Sequence, residues 1–398
     1  MRDPFDEREI ERLRADTPGC HDRIHFNNAG AALMPLPVLE AATGYLESEA
    51  RLGGYEAFEA SEAELDRFYD SAARLIGAHR DEIAFLENAT RAWDLAFYGI
   101  EFAPGDRVLT SSVEYGSNFL AYLQLARRRG VEPVVVPDDE SGQIDVEALS
   151  AAVDERTRLI ALTHVPTSGG LVNPAAAVGR VAREAGVLYL LDACQSAGQL
   201  PLDVVELGCD FLSTTGRKFL RGPRGTGFLF ARRDVLERFE PLSIDVRGAD
   251  WLARDRYELK ADGRRFETWE QNLAGKLGLT VAIDYALALD VERIWARIEP
   301  LAAGFRARLE AIDGVTVHDR GSIRCGIVTF TVSGHAPDAV RAALGEAGIN
   351  VWVSEPDDTR VDFEARGLEG LVRASVHYYN TEDEIDRCCA VLGVLAKA

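Results

Sequence analysis

The sequence predicts an α/β protein: a largely parallel sheet covered by helices, followed by a smaller α+β unit. Three observations predict it. From about residue 83, short apolar runs at 107–110, 134–136, 159–163 and 187–191 alternate with helical spacing near 89–99, 117–129, 145–153 and 173–185. That alternation is the signature of βαβ units. Beyond a long, mainly helical region over 272–312 the pattern changes to strands at 315–317, 327–332, 349–353 and 371–375, with helices at 337–347 and 381–396. Finally, 398 residues with 47% apolar and 27% charged side chains is ordinary globular composition, with length for two or three domains.

Taken in order, residues 1–30 read as a short helix and an extended arm ending in Phe26-Asn-Asn-Ala-Gly30. Residues 37–52 and 61–76 carry helical apolar spacing on either side of Gly53-Gly54-Tyr55. Two further apolar runs, 211–212 and 227–230, belong to the same sheet-forming region. The loops at 240–265 and 354–370 are charged and poorly periodic, and read as surface or lid segments. The expected division is an arm over 1–30, a large domain over 31–285, and a small domain over 286–398 to which the arm contributes.

Composition excludes several functions. A net charge of −21 opposes nucleic acid and anionic membranes, both of which need a basic footprint. No apolar run approaches the eighteen or so residues that span a bilayer, and the charged start lacks a signal peptide's apolar core. The six cysteines (20, 194, 209, 325, 388 and 389) show no metal spacing, so no metal is expected and a reduced cytoplasmic setting fits.

The chemistry gathers where strands end, the place ligands occupy in open α/β sheets. Lys218 closes Phe211-Leu-Ser-Thr-Thr-Gly-Arg-Lys218, in a chain with only four lysines against forty arginines. An amine can form a Schiff base with an aldehyde cofactor; a guanidinium cannot. The bland alternative is a solvated lysine in a turn. Phe85-Leu-Glu-Asn-Ala-Thr-Arg91 puts Asn88, Ala89 and Thr90 at a helix start, which suits a phosphate or an ordinary N-cap. In Leu190-Leu-Asp-Ala-Cys-Gln-Ser196, Asp192 closes an apolar strand and needs a cationic partner, such as a pyridinium nitrogen, or else caps the next helix. Gln195 lies three residues on. His164 and Thr167 in Leu162-Thr-His-Val-Pro-Thr-Ser-Gly-Gly170 line a pocket or serve structure, and Tyr115 in Val113-Glu-Tyr-Gly-Ser-Asn118 offers a flat face.

This order of motifs resembles the class V aminotransferases, the fold type I pyridoxal phosphate (PLP) family of cysteine desulfurases and isopenicillin N epimerase-like enzymes. The likeness runs from Asn27-Asn-Ala-Gly30 through Asn173-Pro174 and Arg264-Arg-Phe-Glu267 to Arg373-Ala-Ser-Val-His-Tyr-Tyr-Asn380. It implies a mainly parallel seven-stranded sheet in the large domain. It implies that Lys218 holds PLP and moves the Cα proton, Asp192 keeps the ring nitrogen protonated, Gln195 touches the phenolic oxygen and Tyr115 stacks on the ring. Asn88, Ala89, Thr90, Thr215 and Arg217 would surround the phosphate, with Thr167 in the same site. Arg373 would clamp the substrate carboxylate, with Asn28 and Tyr55 beside it. The segment Phe266-Glu-Thr-Trp-Glu-Gln-Asn272, with Trp269, would complete a neighbour's phosphate site in a homodimer.

Desulfurases of this family carry a cysteine on a mobile loop; the matching stretch, Val353-Ser-Glu-Pro-Asp-Asp-Thr-Arg360, has none. By contrast, Gly53-Gly-Tyr55, Glu114-Tyr-Gly-Ser-Asn118 and Arg217-Lys-Phe-Leu-Arg-Gly-Pro-Arg-Gly225 look like the ergothioneine-pathway C–S lyases. The expectation is therefore a PLP-dependent lyase acting on a cysteine-derived amino acid. The alternatives are an aminotransferase, or an epimerase using His164 or Tyr55 as its second acid or base.

Overall fold

Seven strands line up in one sheet in the spatial order Ile83–Leu86, Gly227–Ala231, Phe211–Thr215, Leu188–Asp192, Thr157–Thr163, Arg107–Thr110 and Glu132–Val135. The last five run parallel to one another; Gly227–Ala231 is antiparallel to both of its neighbours. The computed structural model describes residues 4–397. Alternation along the central strands feeds two cores, one on each face of the sheet. Leu159, Ala161, Leu190 and Phe211 enter one, while Ile160, Leu162, Tyr189, Leu191 and Leu212 enter the other. Helices cover both faces, as a sheet with two apolar faces requires.

The chain then leaves the sheet through two helices, Leu273–Leu289 and Val291–Glu310. The break between them is Asp290, whose φ of 71° cannot continue a helix and whose carboxylate caps the second one through Glu292 N–H. The second helix packs Ile294, Ile298, Leu301, Phe305 and Leu309 against a four-stranded sheet in the order Val315–Val317, Ile327–Val332, Leu371–Ser375 and Trp352–Ser354. Phe5, Leu13, Ile24 and Phe26 from the N-terminal arm complete that core. The arm is also tied in by its backbone: Phe26 N–H donates to Asn350, and Ser375 N–H donates to Phe26.

Three segments depart from expectation. The expected strand at 349–353 is two pieces, Ile349–Asn350 pairing with the arm's Ile24–His25 and Trp352–Ser354 pairing with Leu371–Ser375. The 240–265 loop contains a hairpin, Ala249–Ala253 with Arg256–Leu259. Eight of its nine strand residues lie outside the core, so no inward alternation exists for a pattern to reveal. The 354–370 loop contains a helix, Arg360–Arg366, whose two turns are too short to show a period. Among the described residues, no helix is long and apolar enough to cross a membrane.

One buried ion pair joins the elements outside the large sheet. Arg306, on the long helix, meets Asp319 at 2.7 Å, with the two side chains 3% and 0% exposed. Arg306 also donates to the carbonyls of Cys325 and Ile327; Asp319 accepts from Thr329 and from Gly170 N–H in the large domain. Removing one partner strands the other charge. Asp319→Ala is therefore expected to lower unfolding free energy by about 3–5 kcal/mol, and Asp319→Asn by less, as read from denaturant midpoints.

Candidate active site

Five strands deliver side chains to one cleft at their carboxyl ends, and the sheet register explains why. Asp192 ends its strand opposite Ser213, so the chain continuing past Thr215 carries Lys218 back to the same edge. The turn after Thr215 is closed by Gly216 N–H to Thr226 and by Gly222 N–H to Gly216, with Arg221 N–H bonding Lys218 carbonyl at 2.8 Å. Gly227 lets the neighbouring strand pass against Thr214 and the start of the Ala89–Gly99 helix; a Cβ there would overlap both. The cleft is lined by Asn88, Ala89, Thr90, Tyr115, Thr163, Val165, Thr167, Asp192, Cys194, Gln195, Thr215, Arg217 and Lys218.

The cleft is polar and cationic inside an acidic chain. Lys218 is buried, and its pKa is lowered chiefly by loss of solvent, with Arg217 and Arg373 adding repulsion against the opposing pull of Cys194 and Asp192. Asp192 accepts from Cys194 N–H at 2.9 Å and from Asn118 Nδ2 at 3.0 Å. Asn88 caps the Ala89–Gly99 helix by accepting Arg91 N–H, and Ala89 and Thr90 of its first turn line the cleft. The ordinary cap and the helix start expected to suit a phosphate are thus the same feature. Arg217 donates to Gly30 carbonyl, and Thr215 to Thr226 carbonyl at 3.2 Å.

The junction with the small sheet is built on Thr167. Arg373, on the Leu371–Ser375 strand, donates to Thr167 Oγ1 at 2.6 Å and to its carbonyl at 3.1 Å. Gln195 Nε2 reaches the same hydroxyl at 3.2 Å and Ala29 carbonyl at 3.1 Å, leaving Oε1 buried without a partner. Burial draws Arg373 down to about 10, so its guanidinium is still charged at neutral pH.

Four expected residues lie elsewhere. His164 is buried but does not line the cleft, whereas Thr163 and Val165 do, as alternation at a strand end dictates. Burial lowers His164 to about 4, so it is a neutral imidazole. Asn28 is consumed structurally, donating to Ser375 carbonyl at 2.7 Å and accepting from Tyr379 hydroxyl. Its neighbour Asn27 instead accepts from Arg373 at 3.4 Å. Tyr55, 72% exposed, sits on the Gly54–Ala60 helix away from the cleft. Trp269, 59% exposed, is held by its backbone N–H to Asp245 and does not reach this chain's own cleft.

Thr163, Val165, Cys194 and Asn27 are the residues that motif reading passed over. Position at a strand end was the signal for the first two; Cys194 stands inside the Asp192-to-Gln195 motif. The six thiols share one property: burial raises each of them, Cys20 and Cys389 to about 11 and Cys325 to about 12. All six are therefore protonated well above neutral pH. Iodoacetamide at pH 7.5 is expected to label the folded protein slowly at all six, Cys194 included, and the denatured protein fast, as followed by peptide mass spectrometry.

Comparison with known proteins agrees with this geometry. Residues 24–388 match the family described as Aminotransferase class-V. A probable cysteine desulfurase from Methanothermobacter thermautotrophicus is 35% identical over 94% of this chain and 95% of its own length. One from Xylella fastidiosa (strain 9a5c) is 31% identical over 96% of this chain and 94% of its own. The apo structure of the cysteine desulfurase from Thermococcus onnurineus NA1 superposes with a TM-score of 0.91 at 28% identity, covering 100% of this chain and 99% of that one.

Proposed function

The chain belongs to the class-V aminotransferase family and is a PLP-dependent enzyme, and on that premise we propose that it cleaves the carbon–sulfur bond of a cysteine-derived amino acid by β-elimination. The cleft's donor set fits the cofactor. Asp192 has two hydrogen-bond donors but no cation paired with it among the described residues. Gln195 presents a buried polar atom without a partner, and Ala89 and Thr90 of a helix's first turn line the cleft with Arg217. In this reading Asp192 holds the ring nitrogen's proton, Gln195 meets the ring oxygen and Tyr115 covers one face. Asn88, Ala89, Thr90, Thr215 and Arg217 hold the phosphate, and Thr167 braces Gln195 and Arg373. The unit over 31–285 carries these groups, and the unit over 286–398, with the arm, supplies Arg373.

Bound, PLP supplies an electron sink that acidifies the amino acid's Cα–H. Lys218, whose burial favours the free amine, takes that proton. Arg373 grips the carboxylate and so fixes which face of Cα meets Lys218. The Cβ–S bond then breaks with its electron pair leaving on sulfur, and the released enamine hydrolyses to pyruvate and ammonium.

What carries elimination over sulfur transfer to the enzyme is the thiol chemistry. Transfer needs a nucleophilic thiolate to take the sulfur, and the 353–360 loop has no cysteine. A second reading, cysteine desulfurase, is favoured by the names of the relatives; its acceptor would have to be Cys194, the one thiol in the cleft. Products separate the two. Incubation with L-cysteine, cystine, cysteine conjugates and their sulfoxides is expected to give pyruvate and ammonium in step with sulfur release. Alanine as the stoichiometric product overturns elimination. Keto-acid-dependent amine exchange would reveal an aminotransferase, and solvent deuterium in inverted substrate an epimerase.

The homodimer reading is supported by exposed Leu242, Val246, Trp251 and Trp269 on one surface segment, and cytoplasmic placement by six free cysteines. Lys218→Ala is expected to abolish covalent trapping of PLP by borohydride and to cut turnover by at least about 10³-fold; persistent trapping at any site overturns the role of Lys218. Arg373→Ala is expected to raise KM by roughly tenfold or more, the loss of a charged hydrogen-bonded pair, without removing bound cofactor.

A further inference from the structure

Behind Asp192 lies a second buried carboxylate that no step above uses. Glu114 is the residue before Tyr115, at the entry to the Gly116–Arg129 helix, and it is buried. Its Oε1 accepts from Tyr115 N–H at 2.9 Å, from Asn118 Nδ2 at 2.9 Å and from the Thr163 hydroxyl; its Oε2 accepts from the Thr110 hydroxyl at 2.8 Å. Asn118 Nδ2 is shared, since it also donates to Asp192 at 3.0 Å. One oxygen therefore fixes both Tyr115 and the amide that holds Asp192.

We propose that Glu114 is a positioning residue: an ionised carboxylate that aims Tyr115 and Asp192 at the cofactor ring and places a second negative charge behind the ring nitrogen. This rests on the reading of the cleft as the PLP site. Four donors converge on the group, and two of them, an amide N–H and an Asn NH₂, cannot reverse to accept a proton. Burial, aided by the nearby Asp192 charge, outweighs the Thr163, Asn118 and Thr110 donors and raises the pKa of Glu114 above the usual carboxylate range, so it is the convergence of donors that argues for the ionised form. The other titratable groups that face it are Tyr122 on the following helix and Tyr189 on the Asp192 strand. Burial raises both phenols far above neutrality, so neither competes in charge. Among the described residues no cation is paired with Glu114, and its charge therefore acts on Asp192 and whatever Asp192 binds.

Glu114→Gln isolates the charge. The amide oxygen can keep the three donors on Oε1, and the Thr110 hydroxyl can rotate to accept from the new NH₂. A pH titration of the holoenzyme's visible absorption is expected to show the midpoint falling by about half a unit or more in the variant, because the ring's bound proton loses a stabilising charge. Asn118→Ala, which cuts the bridge to Asp192, is expected to weaken PLP binding about fivefold, the worth of one net hydrogen bond. If the Gln variant does not fold, an Asn118→Ala enzyme with wild-type affinity for PLP and a wild-type midpoint overturns the proposal. A folded Glu114→Gln enzyme that loses only thermal stability, with its midpoint unmoved, overturns it as well. Wild-type protein that gains no visible band with PLP overturns this proposal and the cofactor reading together; an unmoved midpoint in the variant overturns this proposal alone.

Discussion

A carboxylate at the buried end of an apolar strand is the constraint on which the rest of the site depends. Asp192 lies at the floor of the cleft, where an isolated charge would be held out of water at a cost of several kcal/mol. The fold answers with donors rather than with a cation: the Cys194 amide and the Asn118 side chain, the latter anchored on Glu114. That leaves the carboxylate hydrogen-bonded but electrostatically unneutralised. One parallel register away, Lys218 experiences the opposite bias, its charged form disfavoured by the same burial. A hydrogen-bonded carboxylate and an amine whose charged form burial disfavours are thus consequences of two adjacent strands ending together.

The second feature is a joint between the small sheet and the cleft, built on Arg373. Arg373 reaches across to Thr167 through a hydroxyl and a carbonyl, and Gln195 meets the same hydroxyl. The arm is threaded through this joint, with Ala29 bonded to Gln195 and to Ser375, and Asn27 to Arg373. Arg221, three residues past Lys218, extends the tie. Its fully buried guanidinium donates to Leu33 carbonyl and Thr17, and lies 4.5 Å from the centre of the Tyr379 ring. The loop that carries the amine is thereby bound to both the arm and the small sheet, so the three parts of the cleft cannot move independently without breaking buried hydrogen bonds.

Against this shared scaffold, the thiols mark where the chain parts from the desulfurases it resembles. A cysteine accepts sulfur only as a thiolate on an accessible segment, and all six here are pushed the other way by burial. The 353–360 segment, which carries no cysteine, packs the Asp357 backbone against Gly116, beside Tyr115.

The sequence by itself determined the doubly covered sheet, because apolar runs of strand length alternating with helical periods admit few other arrangements. It also singled out Lys218, Asp192, Gln195 and Tyr115, whose chemistry is unusual where strands end, whereas Arg373 was named only through the family resemblance. It could not choose between adjacent candidates. Asn27 and Asn28 are chemically identical, and only the backbone turn at the arm's end sends one to Arg373 and the other into the Ser375–Tyr379 network. His164 was the obvious chemical choice, yet the alternation of its strand turns Thr163 and Val165 to the cleft. The Glu114–Asn118–Asp192 chain joins residues 74 positions apart, and its partners are set by strand register, a long-range property that no local pattern encodes.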